Sequence, residues 1–194
     1  MADFSDPENA ASVVRKTIEH YGRLDALIHC AGILLTTQVG DPNFKKAYQK
    51  MMSINMDSGV KATLAAVSAL RESKGCLVFV SSIAGLKPTC NLYAYCMSKA
   101  AVAMFARSMA VELSPDVRVN TICPGVCRTA LYDAIGLTKQ TLPENFKTCS
   151  LQNRLGEPEE IAAGIGFVVS DDAQFMQGHN LVIDGGFMVK QHAQ

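Results

Sequence analysis

Apolar positions along the chain follow two alternating rhythms. Over the first helical stretch they recur at Val14, Ile18 and Tyr21, behind Ser5-Asp6-Pro7-Glu8, which reads as a capping-box start, and ahead of Gly22, which stops the run. Leu24–Ile28 is a short apolar run of strand length, ending at Ala31-Gly32. A long helical pattern follows over about Phe44–Arg71. Cys76–Val80 is continuously apolar, as a strand covered on both faces should be, and it ends at Ser81-Ser82. A second long helix over about Tyr93–Leu113 stops before Pro115, and a strand at Val117–Ile122 ends at Pro124-Gly125. A helix at Pro158–Val169 and a strand at Asn180–Ile183 complete the pattern. Alternating helices and strands predict an α/β fold around a parallel sheet, with residues 1–194 as a single domain.

Three strands end in small or hydroxyl residues, and in open α/β sheets ligands bind just beyond the carboxyl ends of the strands. The irregular segment Val126–Glu157 leaves the same edge. A loop of that length is uncommon unless it works as a lid or binding loop, and it offers Leu131, Tyr132, Ile135, Leu137, Leu142 and Phe146. These side chains either pack the segment onto the body or meet a lipophilic substrate. The helix around Ala100–Ala106 is apolar nearly all round and is expected to be buried on more than one side. Gly164 and Gly166 lie inside a helical pattern and are read as sites of close helix packing.

Composition narrows the function classes. Of 194 residues, 18 are basic and 18 acidic, so no basic face points to nucleic acid. The opening residues are acidic and polar, unlike a secretory signal, and the apolar stretch Ile161–Val169 is too short to span a bilayer. A cytoplasmic protein with no membrane span is the expectation. The seven cysteines include no C-x-x-C pair and no neighbouring His, so no metal site is expected and buried reduced thiols are.

The chemistry concentrates in Tyr95-Cys96-Met97-Ser98-Lys99 at the start of the second long helix. Residues four apart share one helix face. A free phenol titrates near pH ~10, too high for proton transfer at neutrality. An ammonium ~4 Å away, at an effective dielectric of ~20, favours the phenolate by roughly 4 kcal/mol, part of which desolvation offsets. That moves Tyr95 toward the working range of a general acid/base. The spacing alone would turn up in roughly one shuffled chain in four, and its bland alternative is an exposed Tyr beside a solvated Lys. Ser82, at a strand tip thirteen residues earlier, cuts that chance to about one in fifty and offers a hydroxyl for a substrate oxygen.

Ser82-Ile83-Ala84-Gly85 followed by Tyr95-x-x-x-Lys99 resembles the active site of the short-chain dehydrogenase/reductase family. Further marks of that family run in order along nearly the whole chain. Leu24 to Gly32 resembles a strand ending in Asn-Asn-Ala-Gly, with His29-Cys30 in place of the two asparagines. Ser53-Ile54-Asn55-Met56 resembles the segment that carries the family's catalytic Asn. Arg118–Gly125 resembles the strand ending in Pro-Gly, with Thr129 matching a Thr that often follows, and Arg154–Ala162 and Val182–Gly186 resemble the C-terminal marks. The resemblance implies a Rossmann-like doubly wound parallel sheet and hydride transfer between NAD or NADP and a small carbonyl or secondary-alcohol substrate. It implies Tyr95 as proton donor or acceptor and Lys99 as the group that lowers its pKa and meets the nicotinamide ribose. Ser82 would hold the substrate oxygen, and Asn55 would hold a relay water behind Lys99. Asp3, His29, Ala31, Gly32, Tyr95, Lys99, Pro124, Gly125 and Thr129 would contact the cofactor, and a homo-oligomer would form across the long helices.

The family's opening strand, Gly-rich turn and helix, which cradle the pyrophosphate, have no counterpart here. Ala2-Asp3-Phe4-Ser5-Asp6 resembles the segment after its third strand, so the expectation is an N-terminally truncated fold with an exposed edge at Leu24–Ile28 and weak cofactor binding. The alternative from another class is a non-catalytic truncated subunit that joins full-length homologues through its helical interface.

Overall fold

The computed structural model describes residues 3–137, 146 and 148–190. Four parallel strands form the sheet in simple chain order: β1 (Ala26–His29), β2 (Cys76–Val80), β3 (Arg118–Pro124) and β4 (Asn180–Ile183). Ala26 pairs with Cys76, Cys76 with Arg118, and Thr121 with Asn180. Among the described residues five α-helices connect or precede them: α1 (Pro7–Tyr21), α2 (Phe44–Met52), α3 (Ser58–Ser73), α4 (Tyr93–Leu113) and α5 (Pro158–Val169). This is the α/β, Rossmann-like parallel architecture that the alternating pattern predicts.

The period-2 alternation of β2 sorts its side chains onto two faces. Leu77 and Phe79 join Val117 and Val119 against α1, α3 and α4, whose buried small residues (Ala10, Ala62, Ala66, Ala106, Ala110) allow close approach. Val78 joins Ile122 on the other face, against Val168, Ile161 and Ile165. Helix α5 does not cover β1, so Ile28 stays 41% exposed on the sheet's outermost strand. The exposed edge expected for this segment is present among the described residues.

Local chemistry moved several boundaries. The cap of α1 is Asp6, which accepts from the Glu8 N–H at 3.0 Å; Ser5 is not the cap. Pro7 lacks an N–H and has a fixed φ, so it takes the first helical position and makes its predecessor the cap. Tyr21 is 71% exposed, and the buried face of α1 runs instead through Ala10, Ala11 and Val14. The long helix expected over Phe44–Arg71 is interrupted by a π-helical turn at Ser53–Asp57. Helix α4 buries one face only; Met97, Met104 and Val111 stand exposed on the other. Gly164 faces Ile183, whose side chain would collide with a Cβ there, whereas Gly166 borders open space, so only the first glycine serves packing. Cys76, Cys123 and Cys127 are buried, but Cys30 and Cys90 are exposed rather than buried.

Candidate active site

The carboxyl ends of β1, β2 and β3 open onto a cavity of about 660 Å³, and Ser82, Tyr95 and Lys99 line it together. Three local devices bring them there. The turn after β2 is capped by the Ser82 hydroxyl, which accepts from Ala84 N–H at 3.1 Å. Gly85 lets that turn press against α4: a Cβ there would lie 2.8 Å from the Lys99 carbonyl carbon. Ser81, buried on the opposite side of the strand tip from Ser82, donates its hydroxyl to the Lys99 carbonyl at 2.7 Å. The start of α4 is thereby fixed to the end of β2. Sequence reasoning named Ser82 and passed over Ser81; the doubled hydroxyl at a strand tip, one for each face, was the available signal.

Asn55 sits in the π-helical turn, fully buried. Such turns place a residue off the regular helical face and recur at functional sites. Its Oδ1 accepts from Ile33 N–H at 2.7 Å, and its Nδ2 donates to the Ile33 carbonyl and the Ser98 hydroxyl, each at 3.0 Å. Ser98 in turn donates to the Tyr95 carbonyl at 2.8 Å. Asn55 thus ties the loop after β1 to the Tyr95 turn of α4. It does not line the cavity; it stands behind Gly32, where a Cβ would be 3.1 Å from Lys99 Nζ and 3.4 Å from Asn55 Oδ1.

The electrostatics depart from the expectation that Lys99 lowers the Tyr95 pKa. Tyr95 is 4% exposed, and burial pushes its phenol up to about 12, with a hydrogen bond from Ser82 drawing it partly back. Lys99 Nζ donates to the Val80 carbonyl at 2.9 Å and lies 5.8 Å from the centre of the Tyr95 ring. Its own burial lowers it to about 8, with the Cys30 and Cys123 thiols opposing. Desolvation is the largest cause of both shifts.

The expected cofactor contacts divide. Gly32, Pro124, Gly125 and Thr129 line the cavity with Tyr95 and Lys99, and Ala31 lies between the lining residues Cys30 and Gly32. Gly125 has no room for a side chain, since a Cβ would stand 2.7 Å from Asp184 Cα. His29 and Asp3 do not line it. His29 turns onto α3, its Nε2 2.8 Å from the Ser58 hydroxyl, and Gly59 makes room for the ring. Because the Ser58 hydroxyl donates to the Ile54 carbonyl, His29 Nε2 carries the proton. Burial lowers its pKa to about 4, with Lys99 contributing. Asp3 is exposed and accepts from the Ser5 N–H at 2.9 Å, a turn ahead of α1.

The outer wall holds residues that sequence reasoning left unassigned: Ile33 and Leu34 after β1, Cys127, and Ile161, Ala162 and Ile165 of α5. Of the lid residues, Leu131 and Tyr132 line the cavity from a 3-10 turn, Ala130–Ile135, and Ile135 packs beside them; Leu142 lies outside the described residues. Tyr93, the other tyrosine at this helix start, donates to the Gln38 carbonyl and stacks on Phe44. Its hydroxyl is thereby held by the loop after β1. No helix among the described residues is long and apolar enough to cross a membrane.

Comparison with known proteins agrees with this geometry. Residues 1–188 match the model of a family described as enoyl-(acyl carrier protein) reductase. The chain is 32% identical over 190 residues to meso-2,3-butanediol dehydrogenase of Serratia marcescens, covering 95% of this chain and 72% of that protein. It is 35% identical over 192 residues to cyclopentanol dehydrogenase of a Comamonas species, covering 95% and 74%. Among solved structures, ElxO with NADP bound superposes with a TM-score of 0.86 at 27% identity, over 97% of this chain and 77% of that one. The strand-tip serine, the Tyr-x-x-x-Lys turn and the fold around them thus occur in a chain that belongs to the short-chain dehydrogenase/reductase family.

Proposed function

We propose that this chain carries the catalytic centre of a nicotinamide-dependent oxidoreductase that interconverts a small ketone and its secondary alcohol, with Tyr95 as the general acid/base. The observation that carries the reading is the convergence of Ser82, Tyr95 and Lys99 on one cavity. The Ser82 and Tyr95 hydroxyls in a largely apolar lining suit a single carbonyl oxygen, whose developing negative charge both can meet. The residues present fit the nicotinamide end of NAD or NADP: Lys99 for the ribose, Gly32 and Gly125 where backbone must approach closely, and Thr129 at the rim. When bound, that group supplies or accepts the hydride.

Tyr95 donates its proton to the substrate oxygen in reduction and takes it back in oxidation. Burial keeps the phenol neutral at physiological pH, the form needed to protonate a carbonyl. Ser82 donates to the same oxygen and fixes the substrate's orientation. Lys99, beside the phenol and the cavity, stabilises the phenolate left behind and passes it a fresh proton. Asn55 holds the loop that places Gly32 against Lys99. The apolar lining from Leu34, Leu131 and Ile161 favours a lipophilic flank on the substrate. Tyr95→Phe is expected to lower turnover of a small ketone by about 10²–10⁴-fold while the thermal transition barely moves. Consumption of reduced nicotinamide measures this, and near-normal turnover by the variant would refute the assignment.

The exposed ridge of Met97, Met104 and Val111, seven residues apart on α4, and the exposed Leu64 on α3 support self-association across the two long helices. The same ridge would serve the rival reading, a non-catalytic subunit joining longer homologues. Absence of turnover by the unmodified chain favours that rival.

A further inference from the structure

We propose that Tyr132 is a substrate-recognition residue, its hydroxyl donating to a second substrate oxygen beside the reacting carbon, so that preferred substrates are α-hydroxy ketones and vicinal diols with an apolar flank. The inference rests on the oxidoreductase reading above and names its substrate class.

Five hydroxyl side chains line the cavity: Ser81, Ser82, Tyr95, Thr129 and Tyr132. Three have protein partners: Ser81 donates to the Lys99 carbonyl, Ser82 accepts from the Ala84 N–H at 3.1 Å, and Thr129 accepts from the Leu131 N–H at 3.4 Å to cap its turn. Apart from the catalytic Tyr95, Tyr132 carries the one hydroxyl of the five with no hydrogen bond to the described residues. Its ring packs against the same apolar cluster as Tyr95, Leu34 and Ala84, and it lines the same cavity as the catalytic pair. The backbone there is pinned, because the Leu137 N–H bonds back to the Tyr132 carbonyl at 3.1 Å.

Burial raises the Tyr132 phenol, and Tyr95 and Cys127 push it further the same way. It therefore stays a neutral donor across the physiological range. A hydroxyl at the cavity wall with no acceptor among the described residues is available to a ligand oxygen. A site of this kind discriminates against the analogue that lacks the oxygen. If lipophilic packing were the whole purpose, phenylalanine would serve as well at this position.

The test compares wild type with Tyr132→Phe on paired ligands of one skeleton. Turnover is read with cyclohexanone and its α-hydroxy derivative. Binding is read separately, by ligand-observed NMR, with cyclohexanol and vicinal cyclohexanediol. Wild type is expected to prefer the member with the extra oxygen by roughly tenfold in both readings, and Tyr132→Phe to erase that preference. Equal treatment of both members by wild type, or a preference that survives the substitution, overturns the proposal. No turnover of either ketone, with the diol preference present in binding and lost in the variant, sinks the oxidoreductase reading and upholds the role of Tyr132. Turnover of both ketones without preference does the reverse.

Discussion

The two walls of the cavity are built on different principles. The inner wall, from β2, α4 and the π-helical turn, is held by buried polar side chains bonded to main-chain atoms: Ser81 to the Lys99 carbonyl, Asn55 to both polar atoms of Ile33, and Lys99 to the Val80 carbonyl. The outer wall, from the Ala130–Ile135 turn and α5, presents half-buried apolar side chains whose positions depend on packing. A hydrogen bond to the backbone fixes direction as well as distance, which proton transfer requires. Apolar contact fixes neither closely, and a pocket that must accept a varied carbon skeleton has no need of it. Reactivity and recognition are thereby separated across a few ångströms.

That contrast can be broken, and the largest effect is expected on the inner wall. Asn55→Ala leaves Ile33 N–H, the Ile33 carbonyl and Ser98 short of partners in a buried site, and should cost about 4 kcal/mol of folding stability. Urea unfolding measures this, and a loss under about 1 kcal/mol would mean that the loop after β1 is held by something else.

The second effect sharpens the comparison through pH. His29 is 5% exposed and its pKa falls from 6.5 to about 4 on folding, so the unfolded chain binds the proton more readily between those values. Its contribution is whole above pH 6.5 and is lost as pH falls through about 4, a loss of about 3 kcal/mol. His29→Gln, which can still donate to Ser58, should flatten stability over that window. An unchanged acid profile in the variant would place the loss on other groups.

The smallest effect is expected on the outer wall. Leu131→Ala should alter stability by less than about 1 kcal/mol, since the side chain is only half-buried, yet raise KM for a bulky ketone several-fold. A large stability loss with unchanged KM would show that the turn is a structural wall with no part in binding.

Much of the fold was legible because its signals are local. Pro158–Val169, Cys76–Val80, Tyr93–Leu113 and Asn180–Ile183 are bounded by Pro, Gly or Ser and carry one dominant period, and the structure has them at those residues. The π-helical turn was not legible, because an insertion of one residue into a helix leaves the apolar pattern continuous on either side. Tyr21 failed for a related reason: helical spacing identifies a face, but the length of the neighbour it packs on decides where that face ends.

The sequence by itself determined which groups could do the chemistry, since a phenol, an ammonium and a hydroxyl at these positions are covalent facts. Tertiary structure decided what state those groups are in. Lys99 was expected to draw the Tyr95 pKa down, a conclusion that spacing supports if both groups keep their water. Folding removes that water: burial pushes the phenol up, and the ammonium donates to the Val80 carbonyl. Tertiary structure likewise set the His29 ring against Ser58 of α3, and put Tyr132, an apolar lid residue by composition, at the cavity wall with no hydroxyl partner among the described residues. Burial and partner geometry depend on segments far apart in the chain, and no local pattern carries them.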